Sequence, residues 1–232
     1  MPRYKRITDA GLLRHVMSRG NGRMQIFLDD LDYRKFLYIL NDVLDVWDID
    51  CWDACVMPNH YHLALMNRQP NLPRAMQHLN SEYATWWNAR HQRVGHVFQG
   101  RYKDQIVQRE GYLPNLLRYI AMNPVRARLV ASPADWPWSA YRFTAGLAKD
   151  PNFVRSDLVL AQFGDDDLSA LRARYVEHVV AGLPDDNECL QRFRSRQRIL
   201  GDRQFKSSVR RALAAVPDPE TAVAPDVNLG CP

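Results

Sequence analysis

The stretch IDCWDACVMPNHYHLALMN, residues 49–67, decides the fold. It contains two runs with strand character that are separated only by Pro58 and Asn59, a pair typical of tight reversals. The stretch is therefore predicted to form a β-hairpin. Because successive side chains of a strand point to opposite faces, His60 and His62 share one face of the second strand.

Two amphipathic helices are predicted, one before and one after this hairpin in the sequence. Apolar residues recur at helical spacing over residues 32–47, behind a strand-like run at 12–18, and the same spacing continues over 72–91. A further strand is predicted in the second half of GHVFQGRYKDQIVQ, residues 95–108. The order β-α-β-β-α-β is that of the ferredoxin-like (RRM-like) α+β fold, an antiparallel sheet with both helices on one face. The histidine pair is expected on the face that these helices leave uncovered.

A third helix is predicted over residues 113 to about 123, because Pro124 disfavours helical backbone in the residue before it. Tyr119 flanks the apolar stripe of this helix, and Asn123 follows one turn later, so both are expected to face outward. A tyrosine with a packed ring and a solvated hydroxyl would give the same pattern. The spacing alone therefore assigns neither residue a chemical role.

The distribution of charge and proline indicates how the chain is divided. Residues 1–145 are predicted to form the folded domain, and residues 146–215 a mainly helical extension with segregated charges. The basic part of this extension, residues 191–211, has eight Lys or Arg residues and one acid. Residues 216–232 have four prolines, three acids and no base, and they are predicted to be disordered.

The composition favours a polyanionic partner. The net charge of +5 comes from 31 Lys and Arg against 26 Asp and Glu, and basic residues also crowd between positions 90 and 128. This crowding predicts a phosphate-binding surface, although a solvated helix face has a similar composition. No apolar stretch approaches the roughly 18 residues of a membrane helix, and the N-terminus has no signal-like apolar core. We therefore expect a cytoplasmic protein without membrane association.

The histidine pair has two interpretations. Two imidazoles on one face can present neutral nitrogens to a divalent ion, but surface or packing histidines have the same short spacing. The four-residue separation of Cys51 and Cys55 on a strand does not favour zinc. The other histidines have no spacing partner and are assigned structural roles; they are His15, His78, His91, His96 and His178.

Five segments, in order over roughly residues 10–145, resemble the single-tyrosine HUH transposases and, more narrowly, the REP-associated tyrosine transposases of bacteria. These segments are VMSRGN with the downstream IF, VMPNHYHLALM, GHVFQGRYK, LLRYIAMNPVRARLV and WPWSAYR. The resemblance implies that His60 and His62 are ligands of Mg²⁺ or Mn²⁺, that Tyr119 is the nucleophile, and that Asn123 is a further ligand. Imidazole alone prefers softer ions, so metal binding without DNA is expected to be weak.

The implied reaction is the nicking and rejoining of single-stranded DNA with REP-like hairpins through a 5′-phosphotyrosine intermediate. An ion at the histidines would polarise the scissile phosphate. A monomer is favoured over a dimer in which the tyrosine helix is exchanged. The candidate DNA-binding residues are Arg19 and Arg23 of the RGNGR loop together with Arg101, Lys103, Arg118 and Arg126.

Two other functions are compatible with the same scaffold. A domesticated protein could bind hairpin DNA without cutting it, since an intact fold and a basic surface suffice for binding. A zinc-stabilised RNA-binding module would stack bases on aromatic residues of the sheet, but histidines occupy that face. The retention of His60, His62 and Tyr119 together favours the transposase.

Overall fold

The computed structural model describes residues 9–149, 153–181, 193 and 197–215. Its strands are β1 (Leu13–Arg19), β2 (Ile49–Met57), β3 (His60–Asn67), β4 (Lys103–Val107) and β5 (Ile199–Leu200). They form one sheet in the order β2-β3-β1-β4-β5. The first four strands pair antiparallel, and β5 joins β4 in parallel. The predicted hairpin and the ferredoxin-like α+β arrangement are confirmed.

The helices of the described residues are α1 (Asp30–Val46), α2 (Leu72–Arg90), α3 (Arg109–Ala121), α4 (Asn123–Arg126), α5 (Tyr141–Thr144), α6 (Ser156–Leu160), α7 (Leu168–Ala181) and α8 (Arg203–Ala215). Short 3-10 turns lie at Asn21–Arg23, Pro133–Asp135 and Ala161–Phe163. Asp29 caps α1 by accepting hydrogen bonds from two backbone N–H groups of the first turn. The third helix ends two residues before its predicted end, and Pro124 lies in the first turn of α4.

Helices α1 and α2 cover one face of the sheet. Tyr61, Leu63 and Leu65 point from β3 into this core, where they are buried together with Phe36 of α1 and Leu79 of α2. The alternate residues of β3, including the two histidines, therefore face the other side, as predicted.

Helices α3 and α7 cover the second face. Cys55 and Ala64 of the sheet are buried in a separate core with Leu117 of α3 and Val179 of α7. The extension thus contributes to the same folded body as the sheet, through α7 and through β5. The division of the chain at residue 145 stays a prediction.

The edge of the sheet at β2 is protected by the aromatic segment that precedes α5. The backbone N–H of Val56 donates to the carbonyl of Trp138 (2.9 Å), and Trp136 Nε1 donates to the carbonyl of Val56 (3.0 Å). The indole of Trp138 stacks on Tyr33 of α1, with ring centroids 4.6 Å apart. A covered edge strand cannot pair with a second chain.

Part of the sequence-based interpretation lies outside the described residues. This applies to the tail at 216–232 and to five residues of the basic block, which are 191, 192 and 194–196. Among the helices that the structure describes, none combines the length and the apolar character needed to cross a membrane.

Candidate metal and tyrosine site

The histidine pair lies at the centre of the second sheet face. In the antiparallel pairing of β3 with β1, His60 is opposite Arg19 and His62 is opposite Met17. The imidazole centroids of His60 and His62 are 4.9 Å apart, with the ring planes nearly perpendicular. Two ring nitrogens can therefore approach one point above the sheet.

Both imidazoles are neutral near physiological pH. His62 is buried and His60 half-buried. Burial is the main cause that lowers the pKa of His60, to about 4, and the positive charge of Arg19 lowers it further. Burial also places the pKa of His62 well below its usual range, with smaller contributions from the neighbouring histidines and from the positive charges of Arg19 and Arg126. A neutral imidazole keeps the lone pair that a metal ion requires.

Tyr119 contacts the histidines from α3. Its ring lies edge-on to that of His62, with centroids 5.5 Å apart, and edge-on to that of His15, at 5.4 Å. Only 3% of Tyr119 is exposed, so the expectation that it faces outward is wrong. The reason is that α3 lies across the sheet and that Phe193 covers the tyrosine, with ring centroids 5.0 Å apart.

Asn123 is hydrogen-bonded to the backbone of Tyr119 and not to the histidines of the pair. Its Nδ2 donates to the backbone carbonyl of Tyr119 (2.8 Å). It is 9% exposed and so does not face outward either. Within the described residues it makes no hydrogen bond to His60 or His62, and its Oδ1 atom is left as the potential ligand. Two neutral imidazoles and one carboxamide oxygen fit a divalent cation whose coordination is completed by water and phosphate.

Positive charge surrounds the site. The Arg126 guanidinium lies over the ring of Tyr119, 5.2 Å from its centroid, and Nη1 donates to the Tyr119 carbonyl (2.8 Å). The positive charges of Arg126 and Arg19 both lower the pKa of His62. These charges attract a phosphate and oppose a bare cation, which agrees with the prediction that metal binding is weak without DNA.

Comparison with known proteins identifies the family. Residues 10–123 match the family model described as "Transposase IS200 like". This segment is an IS200-like transposase domain. The match confirms the family that the sequence motifs predicted, and no curated protein matches the chain.

Two solved structures are similar to this chain. The first is described as a REP-associated tyrosine transposase bound to a REP hairpin; it has a TM-score of 0.55 and 16% sequence identity, and the match covers 72% of this chain and 93% of the other. The second is described as a transposase from Deinococcus radiodurans R1; it has a TM-score of 0.37 and 20% sequence identity, and the match covers 51% of this chain and 95% of the other. The first match shows that the IS200-like domain shares the fold of a REP-associated tyrosine transposase.

The RGNGR loop of the IS200-like domain is fixed against the hairpin that carries the histidines. The N–H of Gly20 donates to the carbonyl of Asn59 (2.9 Å), and Asn59 Nδ2 donates to the carbonyl of Arg23 (3.1 Å). A Cβ atom on Gly20 would lie 2.3 Å from the Met24 carbonyl oxygen, so close approach excludes any side chain there. Gly22, by contrast, adopts a positive φ of 58°.

The other candidate DNA-binding residues divide into two groups. Arg101 and Lys103 are exposed at the start of β4, and Lys103 is paired with Met17 of β1. Arg118 is engaged elsewhere, because its Nε donates to the carbonyl of His178 in α7 (2.7 Å). Arg118 therefore links α3 to α7, and its contact with DNA stays a prediction.

His15 is the residue that the sequence analysis missed. It was assigned a structural role, yet its Nε2 atom lies 2.8 Å from His62 Nδ1. The predicted topology could have indicated this contact, because β1 is the neighbour of β3. His15 faces the same side of the sheet as Arg19, which is opposite His60. Spacing along the chain cannot show a contact between two strands.

A second cluster of ligand-type residues lies between α1 and α2, away from the IS200-like site. Asp42, His78 and Glu82 are the one such group of three among the described residues. Trp47 Nε1 donates to His78 Nδ1 (3.2 Å), so the proton of the neutral ring is on Nε2, 3.2 Å from Glu82. This arrangement is a chain of hydrogen bonds, and the nitrogen nearest the carboxylates has no lone pair for a metal.

Proposed function

We propose that this chain is a transposase that nicks and rejoins single-stranded hairpin DNA, with Tyr119 as the nucleophile and a Mg²⁺ or Mn²⁺ ion held by His60 and His62. The observation that carries the proposal is the edge-on contact of Tyr119 with His62, 5.5 Å between centroids. It brings a nucleophile on α3 to a pair of neutral imidazoles on β3, within a domain of the IS200-like transposase family.

The chain's own residues can carry the strand-transfer chemistry. The Tyr119 hydroxyl oxygen attacks the phosphorus, the new bond to tyrosine forms, and the bond to the 3′-oxygen of the preceding nucleotide breaks. The phenolic proton is released, and the 3′-oxygen leaves as a hydroxyl. Arg126, stacked on the tyrosine ring, favours negative charge on the phenol and on the phosphate as the attack proceeds. The bound ion supplies Lewis-acid polarisation of the phosphate.

The phosphotyrosine intermediate explains how strands are rejoined without a nucleotide cofactor. The energy of the phosphodiester is kept in the bond to Tyr119, and a DNA 3′-hydroxyl can attack the same phosphorus in the reverse direction. A water-excluding site protects this bond from hydrolysis, and the 3% exposure of Tyr119 suits that requirement. Asn123, whose backbone contact is made through Nδ2, is the proposed third ligand through Oδ1.

The proposed DNA surface begins at the RGNGR loop. Arg19 and Arg23 are exposed at the two ends of this loop, and Arg101 and Lys103 lie at the start of β4. A solved structure with the same fold is that of a REP-associated transposase bound to a REP hairpin, which supports a hairpin ligand for this chain. Phosphate contacts of this kind position a nucleic acid without reading its sequence.

Helix α8 adds a second basic surface. Its only buried described side chain is Val209, which packs against Ile106 of β4 and so turns the basic residues outward. The helix contains no acid. Arg203, Lys206, Ser207, Arg210 and Arg211 lie together on one side of this helix. We propose that this basic side of α8 contacts the stem of the hairpin.

We propose that the protein acts as a monomer in the cytoplasm, where its DNA substrate is located. Tyr119 and His62 of one chain are in contact, so the site is complete without a tyrosine from a second copy. A second candidate function is hairpin binding without cleavage, which is favoured by the cover that Phe193 forms over Tyr119.

A denaturing gel distinguishes the two functions. Hairpin-bearing single-stranded DNA is incubated with Mg²⁺ or Mn²⁺ and with wild type, Tyr119→Phe or His62→Ala; Tyr38→Phe, at an exposed tyrosine of α1, is the control. A covalent adduct is expected with wild type and Tyr38→Phe, and none with Tyr119→Phe or His62→Ala. Tight binding by every variant without any adduct would contradict strand transfer and favour the binding protein.

A further inference from the structure

A chain of three polar side chains runs behind the proposed metal ligands. His15 is fully buried on β1, and its ring stacks on that of His62, with centroids 5.0 Å apart. Its Nε2 atom is 2.8 Å from His62 Nδ1, and its Nδ1 atom is 3.3 Å from Gln105 Oε1. Gln105 is itself buried on β4, where its Nε2 donates to the carbonyl of Gln197 (2.9 Å).

The last of these bonds determines where the protons lie. A backbone carbonyl can only accept, so the NH₂ end of Gln105 must face Gln197 and its oxygen must face His15. His15 Nδ1 therefore carries the hydrogen. A neutral imidazole has one N–H, so His15 Nε2 is an acceptor and His62 Nδ1 must be the donor. The lone pair of His62 is then on Nε2, the atom that remains for a metal.

We propose that His15, oriented by Gln105, is a positioning residue that fixes the tautomer and the ring orientation of His62 for metal binding. The inference rests on the proposed function, in which His62 is a metal ligand. Histidine ligands usually donate their second N–H to a carboxylate, a carbonyl or water. Here a second histidine, held in one tautomer by an amide, takes that place.

The same chain connects the C-terminal extension to the site. Gln197 precedes β5, and the N–H of Ile106 in β4 donates to the carbonyl of Arg198 (2.8 Å). The pairing of β5 with β4 therefore holds the carbonyl that orients Gln105. Side chains of β1 and β4 and a backbone carbonyl before β5 thus together determine which ring nitrogen of His62 has the hydrogen.

Two substitutions of His15 in the full chain separate the hydrogen bond from packing. His15→Phe keeps a planar ring but has no acceptor. His15→Gln places an amide near the position of Nε2, so that its oxygen can accept from His62 Nδ1. The Tyr119→Phe background is used for both, because it keeps the hairpin DNA uncut during binding measurements.

The first readout is ¹⁵N NMR of the imidazoles in the metal-free protein above neutral pH, which distinguishes protonated from unprotonated ring nitrogens. The hydrogen of His62 is expected on Nδ1 in the parent protein and in His15→Gln, and in His15→Phe a mixture of tautomers is expected. The second readout is Mn²⁺ affinity in the presence of hairpin DNA, measured by electron paramagnetic resonance. His15→Phe should weaken it about 10–100-fold, and His15→Gln much less.

The outcomes distinguish this inference from the proposed function. A parent protein with the His62 hydrogen on Nε2, or an unchanged Mn²⁺ affinity in His15→Phe, would overturn the role of His15. If the parent itself binds no Mn²⁺ while the hydrogen is on Nδ1, the metal site fails and with it the role assigned to His15. Should His15→Phe not fold, as judged by its melting transition, Gln105→Leu replaces it and is expected to give the same mixture of His62 tautomers.

Discussion

Lowering the pH is expected to destabilise the fold through His15. The side chain is fully buried, and burial lowers its pKa from 6.5 to about 4. In the unfolded chain this histidine binds a proton below about pH 6.5, whereas the folded protein keeps it neutral down to about pH 4. The unfolded state therefore binds more protons in this window, and the free energy of unfolding falls as the pH drops. The pKa difference corresponds to about 3 kcal/mol between roughly pH 7 and pH 4.

Urea unfolding followed by tryptophan fluorescence at a series of pH values measures this loss. His15→Gln removes the titrating group, so it should lose about 3 kcal/mol less than wild type over the same pH range. His96→Gln, at an exposed histidine in the loop after α2, is the control and should follow wild type. If His15→Gln loses as much stability on acidification as wild type does, the pH dependence arises from other groups and the reasoning is refuted.

Three further predictions concern the DNA surface and the site. Arg203→Gln combined with Arg210→Gln in α8 should reduce the slope of log affinity for the hairpin against log salt concentration by about 0.7–0.9 for each lost phosphate contact. The control, Arg34→Gln on the exposed side of α1, should leave this slope unchanged. Fluorescence anisotropy at several salt concentrations measures the slope, and an unchanged slope in the double variant would exclude α8 from the interface. Arg126→Gln should slow adduct formation by about 10²-fold while hairpin binding changes little, because the guanidinium lies over the ring of the reacting Tyr119. Equal rates of adduct formation in a time course of wild type and variant would argue against a role of Arg126 in the reaction. Gly20→Ala should displace the RGNGR loop, because its Cβ would lie 2.3 Å from a backbone oxygen. We expect the free energy of unfolding to fall by more than about 1 kcal/mol and the affinity for the hairpin to fall as well. A variant with wild-type melting and binding would show that the loop can adjust.

Local patterns were sufficient for the framework of this protein. The alternation in residues 49–67 predicted the hairpin with its two strands at the observed positions, and helical spacing predicted α1 and α2 to within two residues. The same alternation placed His60 and His62 on one face. These features depend on the period of a strand or a helix, which a single segment of sequence contains in full.

The surroundings of the site required the tertiary structure. Tyr119 was expected to face outward, because the pattern of one helix does not show that a sheet lies on one side of it and Phe193 on the other. His15 was missed because its partner is on another strand. The hydrogen bond from Arg118 to the carbonyl of His178 in α7 also joins distant segments, so spacing along the chain does not show it. A local period fixes the direction of a side chain relative to its own element, but the partner in that direction is chosen by packing between distant segments. The sequence by itself therefore determined the strands, the helices and the shared face of the histidine pair, and only the tertiary structure decided which residues meet there.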